Sequence, residues 1–550
     1  MTEKIIIYQL LPRLYTNNCP TCIPNGDVKT NGVGKMNDIN SSRLKEIKAL
    51  GATHVWYTGV IEHATAINHE KSGIEPCNAH VVKGKAGSPY AIRDYYDIDP
   101  NIAVNVGKRV DEWRRLVGRT HRAGLKVVMD FVPNHVARQY KSDACPMGVK
   151  DLGEGDDKGM FFSPTNNFYY ITGQRFAPSV ELGVGEDAYV EFPARATGND
   201  CFTASPSVND WYETVKINYG VDPWNGSKHF DPIPPTWHKM LHILMYWAEM
   251  GTDAFRCDMV HMVPVEFWHW AIAQVKDRFP HIIFIGEIYD VALYYDYVNY
   301  GGFDYMYNKV TLYDALFNIL KHNTSTQSIT ACWQQLEFMN GHMLNFLENH
   351  DELRLASPQF CGNALAGRPA LVVSAALDRS PMLIYAGQEL GERATDAEGF
   401  SGLDGRTTIF DFWSIPSLRK WFTGKSSSRA LELRDYYSRV LNLCNSEQAI
   451  SQGGMYDLMY VNPHLVHQYA FLRHHDKSVL LIVANFSGEE ASINVNIPEH
   501  AFHHLGMVQG KRECAELLHG GNAKKTVSSN IAFDVTIPSH DAVMWKFSLE

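Results

Sequence analysis

The chain has 550 residues, of which 45% are hydrophobic and 20% charged, so it is too long for one ordinary domain and too apolar to be a disordered chain. Its net charge of -11 argues against a surface for nucleic acid or anionic membranes, and no apolar stretch of the sequence has the length of a membrane span. We therefore expect a multidomain protein that binds a neutral partner. Because Ile5 to Leu11 is typical of a first β-strand and not of a signal peptide, we expect a cytoplasmic location.

Short apolar runs alternate with helical patterns along the first part of the chain, which is typical of a parallel α/β structure. The patterns at residues 41–50 and 108–124, for example, predict helices between strands. Eight apolar runs predict β-strands at 5–11, 53–59, 125–132, 253–258, 281–287, 303–307, 342–349 and 380–387. Eight units of strand and helix predict a closed (β/α)8 TIM barrel, because closure removes both edges of the sheet.

Two segments depart from this alternation. About 120 residues separate strand three from strand four, which is far more than a βα connection needs. Much of that stretch is rich in Gly, Asp, Asn and aromatic residues and predicts an inserted domain, and the last hundred residues alternate apolar and polar positions as an antiparallel β-sandwich does. We therefore predict four parts: the first part of a catalytic barrel at 1–135, the inserted domain at 136–214, the second part of the barrel at 215–449, and the sandwich at 450–550.

Acidic residues follow several of the predicted strands directly. Asp130 lies near the end of strand three, Asp258 ends strand four, Glu287 ends strand five, and Asp351 follows strand seven. Taken singly, each acid is equally typical of a helix cap or a strand end. Because barrel active sites form at the carboxyl ends of several strands at once, the repetition indicates a cluster of functional carboxylates.

These residues lie in four motifs that resemble the signatures of the α-amylase family, the large clan of retaining α-glucan enzymes. The motifs occur in the family's order: DFVPNH at 130–135, GTDAFRCD at 251–258, GE at 286–287 and FLENHD at 346–351. The resemblance extends to the whole predicted organisation of barrel, insertion and C-terminal sandwich, and it implies an enzyme of carbohydrate metabolism.

The resemblance also implies a role for each matching residue. Asp258 would be the nucleophile, Glu287 the general acid/base, and Asp351 a third catalytic carboxylate that grips sugar hydroxyls. Arg256 would keep Asp258 ionised. The substrate-binding residues would be Tyr90, Asp130, His135, Arg256 and His350. In the retaining mechanism one carboxylic acid protonates the leaving oxygen while the other carboxylate attacks the anomeric carbon.

The implied function is a glycoside hydrolase that cleaves α-1,4-glucosidic bonds in maltooligosaccharides or in fragments of glycogen or starch through a covalent glycosyl-enzyme. His261-Met262 replaces the Lys-His pair that often follows the second signature, so a transglycosylase or isomerase remains open, as do endo or exo action, the chain length of the substrate and the oligomeric state. A third possibility is a catalytically silent sugar-binding protein, against which the retention of all three carboxylates argues.

The chemistry of such an enzyme requires no cofactor. Many members of the family nevertheless hold a structural calcium ion through the asparagine of the first signature, which is Asn134 in this chain. The sequence leaves open whether the ion is bound, because we identify no partner carboxylate in the inserted segment. The pair Cys19 and Cys22 is more typical of a loop than of a zinc site, since no second C-x-x-C occurs in the sequence.

Overall fold

A closed barrel of eight parallel strands lies at the centre of the computed structural model, which describes residues 4–400 and 402–550. The strands pair in chain order, and the eighth closes the barrel against the first, with Ile6 opposite Met382. In chain order they are Ile6–Leu10, His54–Tyr57, Lys126–Phe131, Ala254–Cys257, Ile283–Gly286, Tyr305–Tyr307, Met343–Phe346 and Met382–Tyr385. The predicted TIM barrel is therefore confirmed, with every strand inside its predicted range.

The strands are apolar on both faces because both faces are covered, as is usual for parallel sheets. One face of each strand supplies a residue to the barrel interior, in a cluster that contains Ile7, Trp56, Val128, Ala254, Ile285, Tyr307, Leu344 and Leu383. The other face packs against the surrounding helices. These are Ser41–Ala49, Arg109–Arg122, Pro235–Glu249, Val265–Arg278, Val291–Asn299, Asp314–His322, Gln327–Gln335, Arg368–Ala376, Pro416–Phe422 and Ser428–Ser446. Within the described part of the chain, none of the helices combines the length and the hydropathy needed to cross a membrane.

The long connection between strands three and four is mostly irregular. It contains two short antiparallel pairs, one between His135–Ala137 and Thr214–Lys216 and one between Tyr170–Ile171 and Ala194–Arg195. A small apolar cluster that includes Phe176, Tyr189 and Tyr212 gives this segment a core of its own. A further antiparallel pair, Ile61–His63 with Ile92–Ile98, follows barrel strand two. The exact domain boundaries given above stay predictions.

The C-terminal part consists of β-strands apart from the α-helix Glu499–Leu505 and the short 3₁₀ helix Met459–Val461. Its main antiparallel sheet has the strand order Gly454–Asp457, Gln468–His475, Ser478–Asn485, Asp541–Ser548, Gly510–Glu516 and Asn522–Val527. Ala491–Val495 and Phe533–Ile537 form a second, two-stranded sheet. The predicted antiparallel C-terminal domain is confirmed. The two adjacent strands 510–516 and 522–527 escaped prediction because their residues are mostly polar and half-exposed.

Arg473 joins this C-terminal sheet to the barrel. Its guanidinium is 1% exposed and donates to the carbonyl of Leu377, at the end of a barrel helix, at 2.9 Å. It also donates to the carbonyls of Ala449, Ile450 and Gly453 at 2.8 to 3.0 Å. Burial lowers the pKa of Arg473 to about 10, which leaves the side chain charged at neutral pH. One cation therefore satisfies four buried acceptors at the junction.

We expect Arg473→Met to lower the free energy of unfolding by about 3 kcal/mol, because four buried carbonyls lose a charged donor. Thermal unfolding followed by circular dichroism measures the loss, and Lys511→Met, on an exposed strand position of the same domain, is the matched control. Equal unfolding temperatures for the two variants would show that the junction does not depend on this side chain.

Candidate active site

The carboxyl ends of the barrel strands bring the four predicted acids together at one end of the barrel. Three of them, Asp258, Glu287 and Asp351, border a cleft of about 340 Å³. Of the residues predicted from sequence, Tyr90, His135, Asp258, Glu287 and Asp351 line this cleft. The remaining lining residues are Lys83, Ser88, Trp211, Glu213, Thr214, Met259, Tyr289, Ile409 and Phe410. Such a site combines a few converging polar groups with aromatic and apolar walls, as pockets for small ligands do.

Arg256 organises the carboxylates from beneath the cleft. Its side chain is fully buried, and its Nη1 donates to Asp258 Oδ1 at 2.7 Å. Its Nη2 lies 2.6 Å from Glu287 Oε2, and Nη1 lies 3.6 Å from Asp130 Oδ1. The Nε donates to the hydroxyl of Tyr307 at 3.0 Å. A single guanidinium therefore contacts acids from strands three, four and five.

The two acids nearest to Arg256 differ in their electrostatics. Burial raises the pKa of Glu287 to about 7, and the negative charges of Asp258 and Asp351 act in the same direction, while Arg256 opposes them. Burial also raises the pKa of Asp258, but contact with Arg256 favours its ionised form. Glu287 therefore holds a proton for part of the time near neutral pH, with an arginine-bound carboxylate beside it.

His350 and Asp351 occupy different layers of the site. The side chain of His350 is completely buried, whereas 40% of the Asp351 side chain is exposed to the cleft. Gln9 lies 2.7 Å from Nδ1 of His350, so the proton is placed on Nε2, which lies 2.9 Å from Asp351 Oδ2. The imidazole also stacks on Tyr90 at a ring separation of 5.2 Å. In this arrangement His350 orients Asp351 and Tyr90 from behind the cleft surface.

Asp130 likewise lies behind the cleft, where it accepts hydrogen bonds from Trp56 Nε1 at 2.9 Å and from the Tyr90 hydroxyl at 3.2 Å. His135 lines the cleft, packs against Trp211 at a ring separation of 5.1 Å, and is neutral at pH 7 because burial lowers its pKa to about 3. The structure thus brings all the predicted substrate-binding residues into one region, and their individual roles stay predictions.

Several cleft residues were not predicted from the sequence. The Tyr289 hydroxyl donates to Glu287 Oε1, and a Glu-x-Tyr spacing after the fifth strand was the signal for it. Lys83 and Glu213 form an ion pair of 2.9 Å in the cleft wall. They come from irregular segments separated by more than a hundred residues, so the sequence carries no periodicity that joins them.

Asn134, the predicted calcium ligand, contacts a lysine. Its side-chain oxygen accepts from Lys216 Nζ, which also lies 2.6 Å from Asp200 Oδ1 and 3.0 Å from the carbonyl oxygen of Met262. Lys216 is only 6% exposed. The ammonium therefore takes the centre of a cage of oxygens. Calcium needs 6–8 oxygen ligands around it, and an ammonium at the centre repels it, so the ion does not fit at Asn134.

The fold and the site define a (β/α)8 enzyme with an acidic catalytic cleft. The family described as "Alpha amylase, catalytic domain" matches residues 20–154, and that described as "Alpha amylase, C-terminal all-beta domain" matches residues 463–548. Two relatives extend the match: "Alpha-amylase 2" of Dictyoglomus thermophilum is 22% identical over 90% of this chain and 71% of its own. "Neopullulanase 2" of Thermoactinomyces vulgaris is 21% identical over 90% of this chain and 72% of its own.

Solved structures agree with the fold. The "noncanonic maltogenic alpha-amylase AmyB" of Thermotoga neapolitana is 20% identical, covers 99% of both chains and has a TM-score of 0.64. An α-amylase of Geobacillus thermoleovorans complexed with acarbose is 17% identical, with 98% of both chains covered and a TM-score of 0.64. Both family models, the relatives that span 90% of this chain and the shared fold support a glycosidase of the α-amylase family.

We expect Tyr289→Phe to shift the alkaline limb of the pH–activity profile upward by about half a pH unit. The tyrosine hydroxyl stabilises ionised Glu287 and thereby lowers its pKa, so removing it raises the pKa. In its predicted role as the general acid Glu287 must be protonated, so we expect activity to fall as pH rises through its pKa. The measurement is kcat/KM against pH. The control is Tyr295→Phe, at a 57% exposed position on a helix, and an unmoved limb in Tyr289→Phe would contradict the contact.

We expect Lys216→Met to lower the free energy of unfolding by about 2 kcal/mol, because the oxygens of Asn134 and Asp200 lose their cation. Adding Asp200→Asn should recover part of this loss, so that the two changes are not additive. Thermal unfolding measures both. Lys228→Met, which removes a lysine that is 53% exposed from its surface pair with Glu266, is the control and should cost less than about 1 kcal/mol. Strict additivity would argue against the cage.

Proposed function

We propose that this glycosidase is a retaining hydrolase of α-1,4-glucosidic bonds in short maltooligosaccharides or in fragments of glycogen or starch. The observation that carries the proposal is the bridge by Arg256 between Asp258 and Glu287. Two nitrogens of one guanidinium hold both carboxylates, which keeps them close to each other. Retaining glycosidases separate these groups by about 5 Å, whereas inverting enzymes leave room for a water molecule between acid and base.

In the proposed first step, protonated Glu287 gives its proton to the glycosidic oxygen and Asp258 attacks the anomeric carbon. The bond between the anomeric carbon and the leaving oxygen breaks, and an ester between Asp258 and the sugar forms. In the second step, the Glu287 carboxylate takes a proton from water, whose oxygen attacks the same carbon and releases Asp258. The raised pKa of Glu287, about 7, supports its role as the acid. Side chains supply every transfer, so the proposed reaction needs no cofactor.

The shape and lining of the cleft support a short, neutral substrate. A volume of about 340 Å³ holds few sugar rings, and Tyr90, Trp211 and Phe410 offer aromatic surface for their apolar faces. The Lys83–Glu213 pair is neutral overall, so it favours no charged substrate. The names of the relatives, α-amylase and neopullulanase, support α-glucans as the substrate class. Cleavage of small oligosaccharides is therefore proposed over internal cleavage of long starch.

The apolar residues Ile409 and Phe410 in the same cleft favour a second candidate, transfer of the glucosyl group to a sugar. Such walls limit access of water to the glycosyl-enzyme. Incubation with maltoheptaose, glycogen, trehalose and sucrose, followed by chromatography of the products, distinguishes the two reactions. A hydrolase yields reducing sugar alone, whereas a transferase yields new oligosaccharides.

We also propose a reducing, cytoplasmic location. All ten cysteines are unpaired, including Cys19 and Cys22, which two residues separate in the sequence and which form no disulfide. Disulfides are rare in a reducing cytosol, and free buried cysteines behave there as small apolar residues.

We expect Glu287→Gln to slow the cleavage of maltotetraose about 10³-fold. The variant should slow the first step of maltosyl fluoride cleavage far less, because fluoride leaves without a proton. Added azide should restore turnover of the fluoride, since it needs no general base, and should yield a glycosyl azide of retained configuration. The rates and the product's stereochemistry are the measurements.

Asp258→Asn is the matched control for this experiment. It removes the nucleophile and not the base, so neither substrate should be turned over by the retaining route and azide should not restore a retained product. Equal losses of Glu287→Gln on both substrates, or an inverted azide, would contradict the proposed mechanism. Circular dichroism of both variants shows whether the fold is preserved.

A further inference from the structure

A cluster of aromatic side chains lies on the long connection between barrel strands three and four, apart from the residues that line the catalytic cleft. Its outermost member, Trp224, is 71% exposed. The ring of Phe161 packs against it, with the ring centroids 5.1 Å apart and the planes inclined by 31°. Phe202 and Tyr169 in turn contact Phe161, each at a ring separation of 6.2 Å. Single exposed apolar residues are ordinary on protein surfaces, whereas a contiguous apolar patch marks a binding site.

The loop that carries Trp224 is fixed by hydrogen bonds. An antiparallel bridge closes the loop 221–228 at its base, and the buried Tyr169 hydroxyl donates to the carbonyl of its first residue at 2.7 Å. Within the loop, the Asp222 carboxylate accepts from the backbone amide of Trp224 and from the side chain of Asn225, both at 3.0 Å. Little ordering of the loop is therefore needed when a ligand binds to the indole, which lowers the cost of binding.

Polar side chains flank Trp224 on the same loop. Asn225 and Ser227 are exposed and offer amide and hydroxyl groups. Lys228 is paired with Glu266 at 2.5 Å, so its charge is matched within the protein. An exposed ring with such neighbours suits a neutral sugar, whose apolar faces stack on aromatic rings while its hydroxyls form hydrogen bonds.

The cluster lies near the proposed catalytic acid. Burial lowers the pKa of His261, whereas the charges of Glu287 and Asp200 raise it, so both acids lie near this imidazole. The side chain of Asp200 is 46% exposed. Phe202 follows Asp200 by two residues, which span at most about 7 Å. The catalytic acid and the aromatic cluster are therefore linked through His261 and Asp200 at the same end of the barrel.

We propose that Trp224, Phe161 and Phe202 form a platform that binds an α-glucan chain outside the cleft. The inference rests on the proposed function, from which it takes the class of ligand. Glu287 gives its proton to the leaving oxygen in that mechanism, so the leaving part of the substrate lies on the Glu287 side of the cleft. A cleft of about 340 Å³ holds few sugar rings, and a longer chain that extends on this side reaches the platform. The platform would thus hold the outer chain of a glycogen or starch fragment.

The first test measures glycogen binding by the full chain with Asp258→Asn, which does not consume the ligand, in native gels that contain glycogen. Adding Trp224→Ala should weaken the binding about tenfold, because a stacked ring is lost. Trp224→Phe keeps a ring and should retain most of the affinity. Tyr295→Ala, which removes a 57% exposed ring from the helix Val291–Asn299, is the matched control and should leave the binding unchanged. Circular dichroism shows whether each variant keeps the fold.

The second test uses the active enzyme and separates long from short substrates. Trp224→Ala should raise KM about tenfold for glycogen and at most twofold for maltosyl fluoride, which carries no sugar on the leaving side. An equal rise in KM for both substrates would show that the residue acts on the cleft and not on an extended chain, and would overturn the proposal.

The outcomes distinguish the platform from the proposed function. If the parent cleaves maltotetraose and Trp224→Ala does not change glycogen binding, the platform is overturned and the proposed function is not. A parent that neither cleaves maltotetraose nor binds glycogen would overturn both. Sedimentation tests a different occupant: a parent dimer that Trp224→Ala dissociates would assign the platform to a second copy of this chain and overturn the proposal.

Discussion

The buried guanidinium of Arg256 is the interaction on which the catalytic site depends. An arginine without solvent is costly unless its charge and its donors are matched, and the same holds for each carboxylate around it. Asp258, Glu287 and Asp130 match it from three different strands. Because each group is tolerable only in the presence of the others, the set behaves as one unit, and the removal of a single member exposes the rest to the cost of burial.

The barrel makes this unit possible. Arg256 lies opposite Asp130 on one neighbouring strand and opposite Ile285 on the other, two residues before Glu287. Parallel register thus places an arginine and an aspartate side by side, one layer below the cleft, while Asp258 and Glu287 follow at the strand ends. The result is two neighbouring carboxyl groups that both contact Arg256, and burial raises the pKa of one of them, Glu287, to about 7.

Buried lysine and arginine side chains connect the barrel to the segments that surround it. Lys216 connects the end of strand three, the inserted segment and the loop that follows Asp258, through Asn134, Asp200 and the Met262 carbonyl. Arg473 does the same at the junction with the C-terminal sheet. In each case a buried side-chain charge is matched by several oxygens, so the connection does not rely on apolar packing alone.

The sequence by itself determined the barrel, its strands and the four acids at their ends. These follow from local patterns: an apolar run of strand length, a helical period, and an acid directly after the run. It also identified Arg256, because the arginine lies two residues before Asp258. The sequence could not reveal the polar strands at 510–516 and 522–527, where the period of apolar residues is too weak.

Only the tertiary structure decided which polar groups meet across long separations in the chain. Lys216 reaches Asn134 from 82 residues away, the Lys83–Glu213 pair forms between two irregular segments, and Gln9 contacts His350 across 341 residues. Tertiary structure also decided that Asp130 and His350 lie behind the cleft surface while His135 lies in it. Local patterns record which face of a strand is buried. The pairing of charges depends on how the connections fold over the barrel, and no periodicity of the sequence encodes that.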